Sequence, residues 1–298
     1  MSASPSSSSQ SGSSQSGAAS QSVLDKHHFL LRRLHSLTGI VPIGLFLIAH
    51  LVTNSSIVWG KFGLRAEGEG YSLVEGGVAY FWKEVKWINE QIPHLLLIEI
   101  VLWLSIAFHS IFGIIYARSG RSNTASYGFG GNFRYWLQRM SGYIGVLYIF
   151  YHVATLRWGW TFLVPGGTKW SHQQSVSTMV AALQGSTTGW TVWGVVVSIF
   201  YFVGVTALVF HFANGLWTAA ITWGLTVSRT AQQRWGYACA ALGVGLMGMA
   251  WASLIGFKTL SFDQAAAVEK KLLSTPAASA PAQAPERLAE TVPSQNTP

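Results

Sequence analysis

Cysteine is nearly missing from this chain: Cys239 stands alone among 298 residues. A single thiol excludes an intrachain disulfide, a Cys-ligated cluster and a Cys-rich zinc site. Cys239 sits in an apolar run and reads as packing. Charge is scarce as well: 10% of residues are charged, against about 25% in ordinary soluble domains. No glycine-rich nucleotide or flavin fingerprint is present. Acids are fewer than bases, 11 against 19, and nearly absent from the long apolar runs. The net charge of +8 therefore points to cationic loops on one face of a membrane rather than to nucleic acid.

What is there is apolar and aromatic. Half of the residues are hydrophobic and 14 are Trp, a residue that collects at membrane interfaces. Apolar runs of about 20 residues fit membrane-crossing helices; a β-barrel would show alternating segments of about 10. The expected fold class is an all-α membrane protein, a bundle of five transmembrane helices. Residues 1–25 form a Ser/Gly-rich head that cannot bury enough apolar surface to order itself. It lacks the basic start and apolar core of a signal peptide. Residues 26–260 carry the spans, and 261–298 read as an Ala/Pro-rich tail, expected to be disordered.

The spans fall at about 34–59, 92–116, 136–158, 190–224 and 235–257. The fourth is the most distinctive, because 190–212 carries no charge. Pro42 is expected to bend the first, and Glu99 lies in the second. The 60–91 connection holds Glu67, Glu69, Glu75, Glu84 and Glu90. Its second half, VAYFWKEVKWI, reads either as an interfacial amphipathic helix or as an ordinary solvated one. The 159–189 connection reads as a long loop with few charges. Glycines in the fifth span suggest close helix packing.

Basic residues set the expected sidedness. Lys26, Arg32 and Arg33 precede the first span; Arg118, Arg121, Arg134 and Arg139 follow the second; Arg229 and Arg234 follow the fourth. With five spans these share one face. The other face has Lys61, Arg65, Lys83 and Lys86 diluted by five glutamates, then Arg157 and Lys169. The excess marks the first face, and the N-terminus, as cytoplasmic.

Four spans each carry one histidine well inside: His50, His109, His152 and His211. An intramembrane imidazole is costly unless satisfied, which makes it a functional candidate. At 1.5 Å per residue, His50 and His152 lie roughly 22 and 24 Å from the basic face, and His109 and His211 roughly 12 Å. The four therefore form two level pairs. Two histidines at one depth on different helices can ligate one flat macrocycle from opposite faces, the bis-His haem arrangement. The alternative is a set of hydrogen-bonded packing residues or a proton path. A zinc or di-iron site fits worse, because no ligands stand at i, i+3 or i, i+4 and the spans hold few carboxylates. His27, His28, His94 and His172 lie in flanks or loops and read as bland. His35, beside Ser36 at the inner boundary, reads either as a propionate contact or as a plain interfacial histidine.

RRLHSLTGIVPIGLFLIAHL (32–51), FHSIFGIIYA (108–117), LQRMSGYIGVLYIFYHV (137–153) and FHFANGLWTAAITWGLTVS (210–228) resemble the cytochrome b membrane anchors of succinate dehydrogenase. The resemblance covers about 29–257 and is to the single-chain, five-helix, two-haem type, kin to di-haem fumarate reductase anchors. It implies two haem b groups, with His109 and His211 as the proximal iron ligands and His50 and His152 as the distal ones. It also implies polar residues near the proximal propionates, positions matched by His35 and Ser36. Flavoprotein and iron–sulfur subunits are implied as partners, menaquinone as the electron acceptor, and the cytoplasmic membrane as the location. The chain alone would not oxidise succinate. Competing readings are the haem b subunit of a fumarate reductase, hydrogenase or formate dehydrogenase, and a haem-free transporter or structural anchor.

Overall fold

The computed structural model describes residues 27–66, 72–119 and 130–274. The Ser/Gly-rich head at 1–25, together with Lys26, Glu67, Glu69, Arg121 and the tail beyond 274, lies outside the described residues. Within them every regular element is helical and none is a strand. The helices are α1 (His28–Ile40), α2 (Pro42–Ala66), α3 (Leu73–Gln91), α4 (Leu95–Ser119), α5 (Gly130–Leu156), α6 (Ser175–Gln184), α7 (Val192–Thr222), α8 (Arg229–Lys258) and α9 (Phe262–Ser274).

Four of the described helical runs are long and apolar enough to cross a membrane: His28–Phe62, Leu95–Ser119, Val192–Thr222 and Arg229–Lys258. The first is α1 and α2 in succession, interrupted at Val41 just before Pro42. Proline has no N–H to give the preceding turn, and its ring crowds the carbonyl four residues back, so the helix bends there. Helix α5 has 27 residues, about 40 Å at the helical rise, but Arg134, Gln138, Arg139 and several tyrosines make it less apolar than the others. The long helices turn Leu97, Leu104, Leu147, Ile199 and Val244 outward. Exposed aliphatic side chains on all sides suit a hydrocarbon surround, where helices satisfy every backbone group internally.

The densest packing lies at the end of the bundle away from the arginine-rich loops. There α3, α6 and α9 close over α2, α7 and α8, with Val78, Phe81, Val176, Val180, Leu183, Phe257 and Val268 in one buried cluster. The amphipathic pattern of the 60–91 connection is explained by this packing. Val78, Ala79, Phe81, Trp82 and Val85 are buried against protein, while Lys83, Trp87 and Glu90 lie on the more open side. Ser72 and Glu75 form a reciprocal capping box that fixes where α3 starts.

Two segments differ from the sequence expectation. The 159–189 connection is not a plain loop, because nearly all of α6 is buried within it. The first part of the 261–298 tail, 262–274, is a packed helix. The cause is Glu269, which is buried and accepts from the Val176 N–H at 2.7 Å, the Ser177 N–H at 3.4 Å and the Ser177 hydroxyl. These are first-turn donors of α6 that have no partner inside the helix. A carboxylate there also meets the positive end of the helix dipole. Burial nevertheless holds the Glu269 carboxyl above the usual value, against the donors that favour its ionised form. Gln184 completes the latch by donating to the Leu260 carbonyl at 2.8 Å.

Candidate functional site

The four intramembrane histidines come from four different helices: His50 from α2, His109 from α4, His152 from α5 and His211 from α7. The structure brings them together two by two. The rings of His109 and His211 have centroids 6.0 Å apart at an interplanar angle of 85°. Those of His50 and His152 are 5.8 Å apart, also at 85°.

In the first pair each ring is aimed by a carbonyl on a neighbouring helix. His109 Nδ1–H donates to the His35 carbonyl of α1 at 2.8 Å. His211 Nδ1–H donates to the Gln138 carbonyl of α5 at 3.0 Å, with the Ser141 hydroxyl 3.3 Å from the same nitrogen. A carbonyl can only accept, so Nδ1 carries the proton and Nε2 keeps its lone pair. Around His211 the polar contacts continue outward. Gln138 donates to the His211 carbonyl at 3.1 Å, Asn214 donates to Gln138 at 2.8 Å, and Arg134 donates to Asn214 at 2.7 Å. Glycine makes the close approach possible. A Cβ on Gly39 would overlap the His109 ring, and one on Gly142 would stand 3.1 Å from His211 Cε1.

The second pair is surrounded by aromatic rings instead. Phe46 stacks on His50 with centroids 5.2 Å apart, Tyr148 on His152 at 5.6 Å, and Tyr201 meets His152 edge-on at 5.8 Å. His152 Nδ1 is buried with no hydrogen-bond partner.

Of the other expected site residues, His35 is closest to the first pair. Its ring lies parallel to that of His109, with centroids 4.0 Å apart, and its own Nδ1 is buried without a partner. Ser36 is half-buried one position further along α1. Glu99 is not part of either pair: it accepts two hydrogen bonds from Arg157, at 3.2 and 2.8 Å, joining α4 to α5. Gln138, Ser141, Arg134, Gly39 and Gly142 had no part in the sequence-based site. A signal was present for Gln138 and Ser141, since a Gln or Ser on an apolar helix needs a partner, whereas Gly39 and Gly142 act through close approach in space.

The centroid spacing within each pair, 5.8 and 6.0 Å, fits two imidazoles on opposite sides of one metal ion. A metal held about 2 Å from one nitrogen of each imidazole separates the ring centroids by roughly 6 Å. The two helices bearing each pair are also not packed tightly on one another. Helix α4 packs on α1 and α2, and α7 packs on α5 and α8. Among the described residues no group of three or more His, Cys, Asp or Glu could hold a bare metal ion. A haem iron needs only two protein ligands, because the macrocycle supplies the rest.

Fold and site together define a polytopic helical protein with two facing histidine pairs inside its apolar helices. Over 238 residues the chain is 29% identical to the succinate dehydrogenase cytochrome b558 subunit of Bacillus subtilis (strain 168), a match spanning 78% of this chain and 95% of that protein. The resemblance to succinate dehydrogenase cytochrome b anchors is borne out by this relative. No family model matches the chain, and no solved structure matches it.

Proposed function

We propose that the chain is the cytochrome b membrane-anchor subunit of a succinate:menaquinone oxidoreductase, holding two haem b groups. The observation that carries this reading is the pair of facing imidazole couples, on helices that match a cytochrome b558 subunit over nearly its whole length. In this reading there are five spans, with α1–α2 as the first and α5 as the third, and the arginine-rich face and N-terminus lie in the cytoplasm. The flavoprotein and iron–sulfur subunits dock on that face. Electrons pass from the iron–sulfur partner to menaquinone nearer the opposite face of the cytoplasmic membrane.

His109 and His211 would hold the proximal haem, and His50 and His152 the distal one. Bound there, haem b supplies a one-electron couple whose potential depends on its axial ligands and their surroundings. The chain's own residues do the rest. The His35 and Gln138 carbonyls fix the ring tautomer of His109 and His211 and raise their basicity as ligands. Phe46, Tyr148 and Tyr201 keep water from His50 and His152. His35 and Ser36 are placed to meet proximal propionates. The sequence carries no flavin fingerprint, and in this reading succinate oxidation belongs to the partner.

The test is a pyridine haemochrome assay on the purified chain, with co-purification of its partners. Two haem b per chain, with a flavoprotein and an iron–sulfur protein bound, is the expected result. No haem would return the chain to a transporter or structural anchor. Two haems with hydrogenase or formate dehydrogenase partners would keep the site and change the enzyme. Sidedness is checked by cysteine accessibility at 118 in sealed vesicles, where labelling from outside would reverse the topology.

A further inference from the structure

A cavity of about 530 Å³ opens at the arginine-rich end of the bundle, where the start of α5, the end of α7 and the start of α8 meet. Arg134, Trp217, Arg229, Gln232, Gln233 and Tyr237 line it. None of the four paired histidines lines it, although Arg134 is the outer end of the amide chain that starts at His211. Trp217 stands six residues beyond His211 on α7, about 240° further round the helix, so this flank faces away from His109.

Among the described residues the cavity is cationic and no carboxylate lines it. Arg134 has neutral partners, donating to Asn214 at 2.7 Å and lying 4.1 Å over the Trp217 ring. Arg229 is exposed. The sequence contains no Asp or Glu between Glu99 and Asp263, so none of the three helices framing the cavity can supply a carboxylate. Helix α8 begins here and adds the positive end of its dipole, its Ala231 N–H being capped by the Ser228 hydroxyl at 3.2 Å. Two guanidinium groups, the Gln233 amide and a long helix's N-terminus border one hollow, while the Gln232 amide donates to the Thr226 carbonyl at 3.2 Å. That donor set fits a tetrahedral oxyanion, which arginine binds through its planar fork. Trp217 and Tyr237 give the same hollow an apolar wall of the type found where headgroups meet acyl chains.

We propose that this cavity is a binding site for the phosphate of an anionic phospholipid headgroup. A lipid is favoured over a free anion because the hollow joins charged donors to aromatic walls at the end of membrane-length helices. Basic hollows between spans on the cytoplasmic side are suited to anionic headgroups, which are enriched in that leaflet. The site rests on the membrane reading of the chain and not on haem occupancy.

The test uses the full chain purified in neutral detergent. Its thermal unfolding is followed while short-chain phosphatidylglycerol, short-chain phosphatidylcholine or inorganic phosphate is added, with haem content scored separately. Phosphatidylglycerol should raise the unfolding temperature and phosphatidylcholine should not. Arg229→Gln should weaken the response several-fold, and Arg134→Gln with Arg229→Gln should abolish it. Arg118→Gln, on the same face but outside the cavity, should leave it unchanged. Because Arg229 is exposed, its variant also controls for the folding cost of altering Arg134. An equal response to phosphatidylcholine, or no response, would overturn the site. An equal response to inorganic phosphate would make it a small-anion site. Equal weakening by Arg118→Gln would reduce it to diffuse surface charge. If the response vanished in the complex assembled with partner subunits, the cavity would belong to the partner. Loss of haem with the lipid response intact would count against the functional reading alone.

Discussion

The two histidine pairs have nearly the same internal geometry and opposite surroundings. At the arginine-rich end, His109 and His211 are held by backbone carbonyls of α1 and α5, and a chain of amides leads from His211 to Arg134. At the other end, His50 and His152 are held by aromatic packing, and His152 Nδ1 has no partner. The difference is one of how orientation is enforced. A hydrogen bond to a carbonyl fixes both ring angle and tautomer, whereas stacking fixes the plane and leaves the nitrogen roles to the bound group. The first pair should therefore depend on single contacts, and the second on the packing of the capped end as a whole.

The largest expected effect comes from the histidines themselves. His109→Ala or His211→Ala should remove one haem and leave the other, as should His50→Ala or His152→Ala for the second. The readout is haem count and low-temperature optical spectra in assembled protein. If His50→Ala and His109→Ala removed the same spectral component, the two pairs would not be the units described.

Next comes Gly39→Ala. Its Cβ would overlap the His109 ring, so proximal haem occupancy should fall while the distal spectrum stays unchanged. An equal loss at both sites would mean that the residue acts through global folding.

The cap offers the converse perturbation. Glu269→Ala leaves the Val176 and Ser177 donors of α6 unsatisfied and should cost about 1–3 kcal/mol. This should appear as a lower unfolding temperature, with the distal haem lost before the proximal one on heating. Simultaneous loss would show that the cap does not support one pair more than the other.

The smallest effect is in the pH dependence of stability. Burial raises the folded-state pKa of Glu269. The folded chain therefore binds more protons than the unfolded chain between the ordinary carboxylate value and the raised one. The contribution is full below the unfolded pKa and is lost as pH rises through the folded value. Glu269→Gln should flatten the decline in unfolding temperature across that window, and an unchanged slope would assign the decline to another group.

Several features could be read without coordinates because each depends on local pattern. Long charge-poor runs around His109 and His211 announce helices in hydrocarbon, since an unpaired backbone there has no other solution. The level pairing of His109 with His211, and of His50 with His152, could be anticipated by counting residues along helices of fixed rise, while their meeting in space was decided by how the helices pack. Helix α5 was legible too, despite Arg134 and Arg139, because those residues sit in its first turns and its remainder is apolar.

Other features depend on contacts between segments far apart in the chain. The Glu269 side chain bonds residues more than 90 positions away, so nothing in AAAVEKKLL distinguishes a packed helix from a charged tail. The burial of α6 likewise needs α3 and α9 beside it.

By itself, then, the sequence determined an all-helical membrane chain, its basic face and four histidines at two depths. The first follows from the free energy of transferring side chains and backbone into hydrocarbon, the second from the placement of Lys and Arg, and the third from the fixed rise of a helix. Only the tertiary structure decided that carbonyls of α1 and α5 aim one pair, that Tyr201 of α7 closes on the other, and that three short segments close one end. Those outcomes rest on hydrogen bonds and close packing between distant segments, whose geometry exists only once the helices have met.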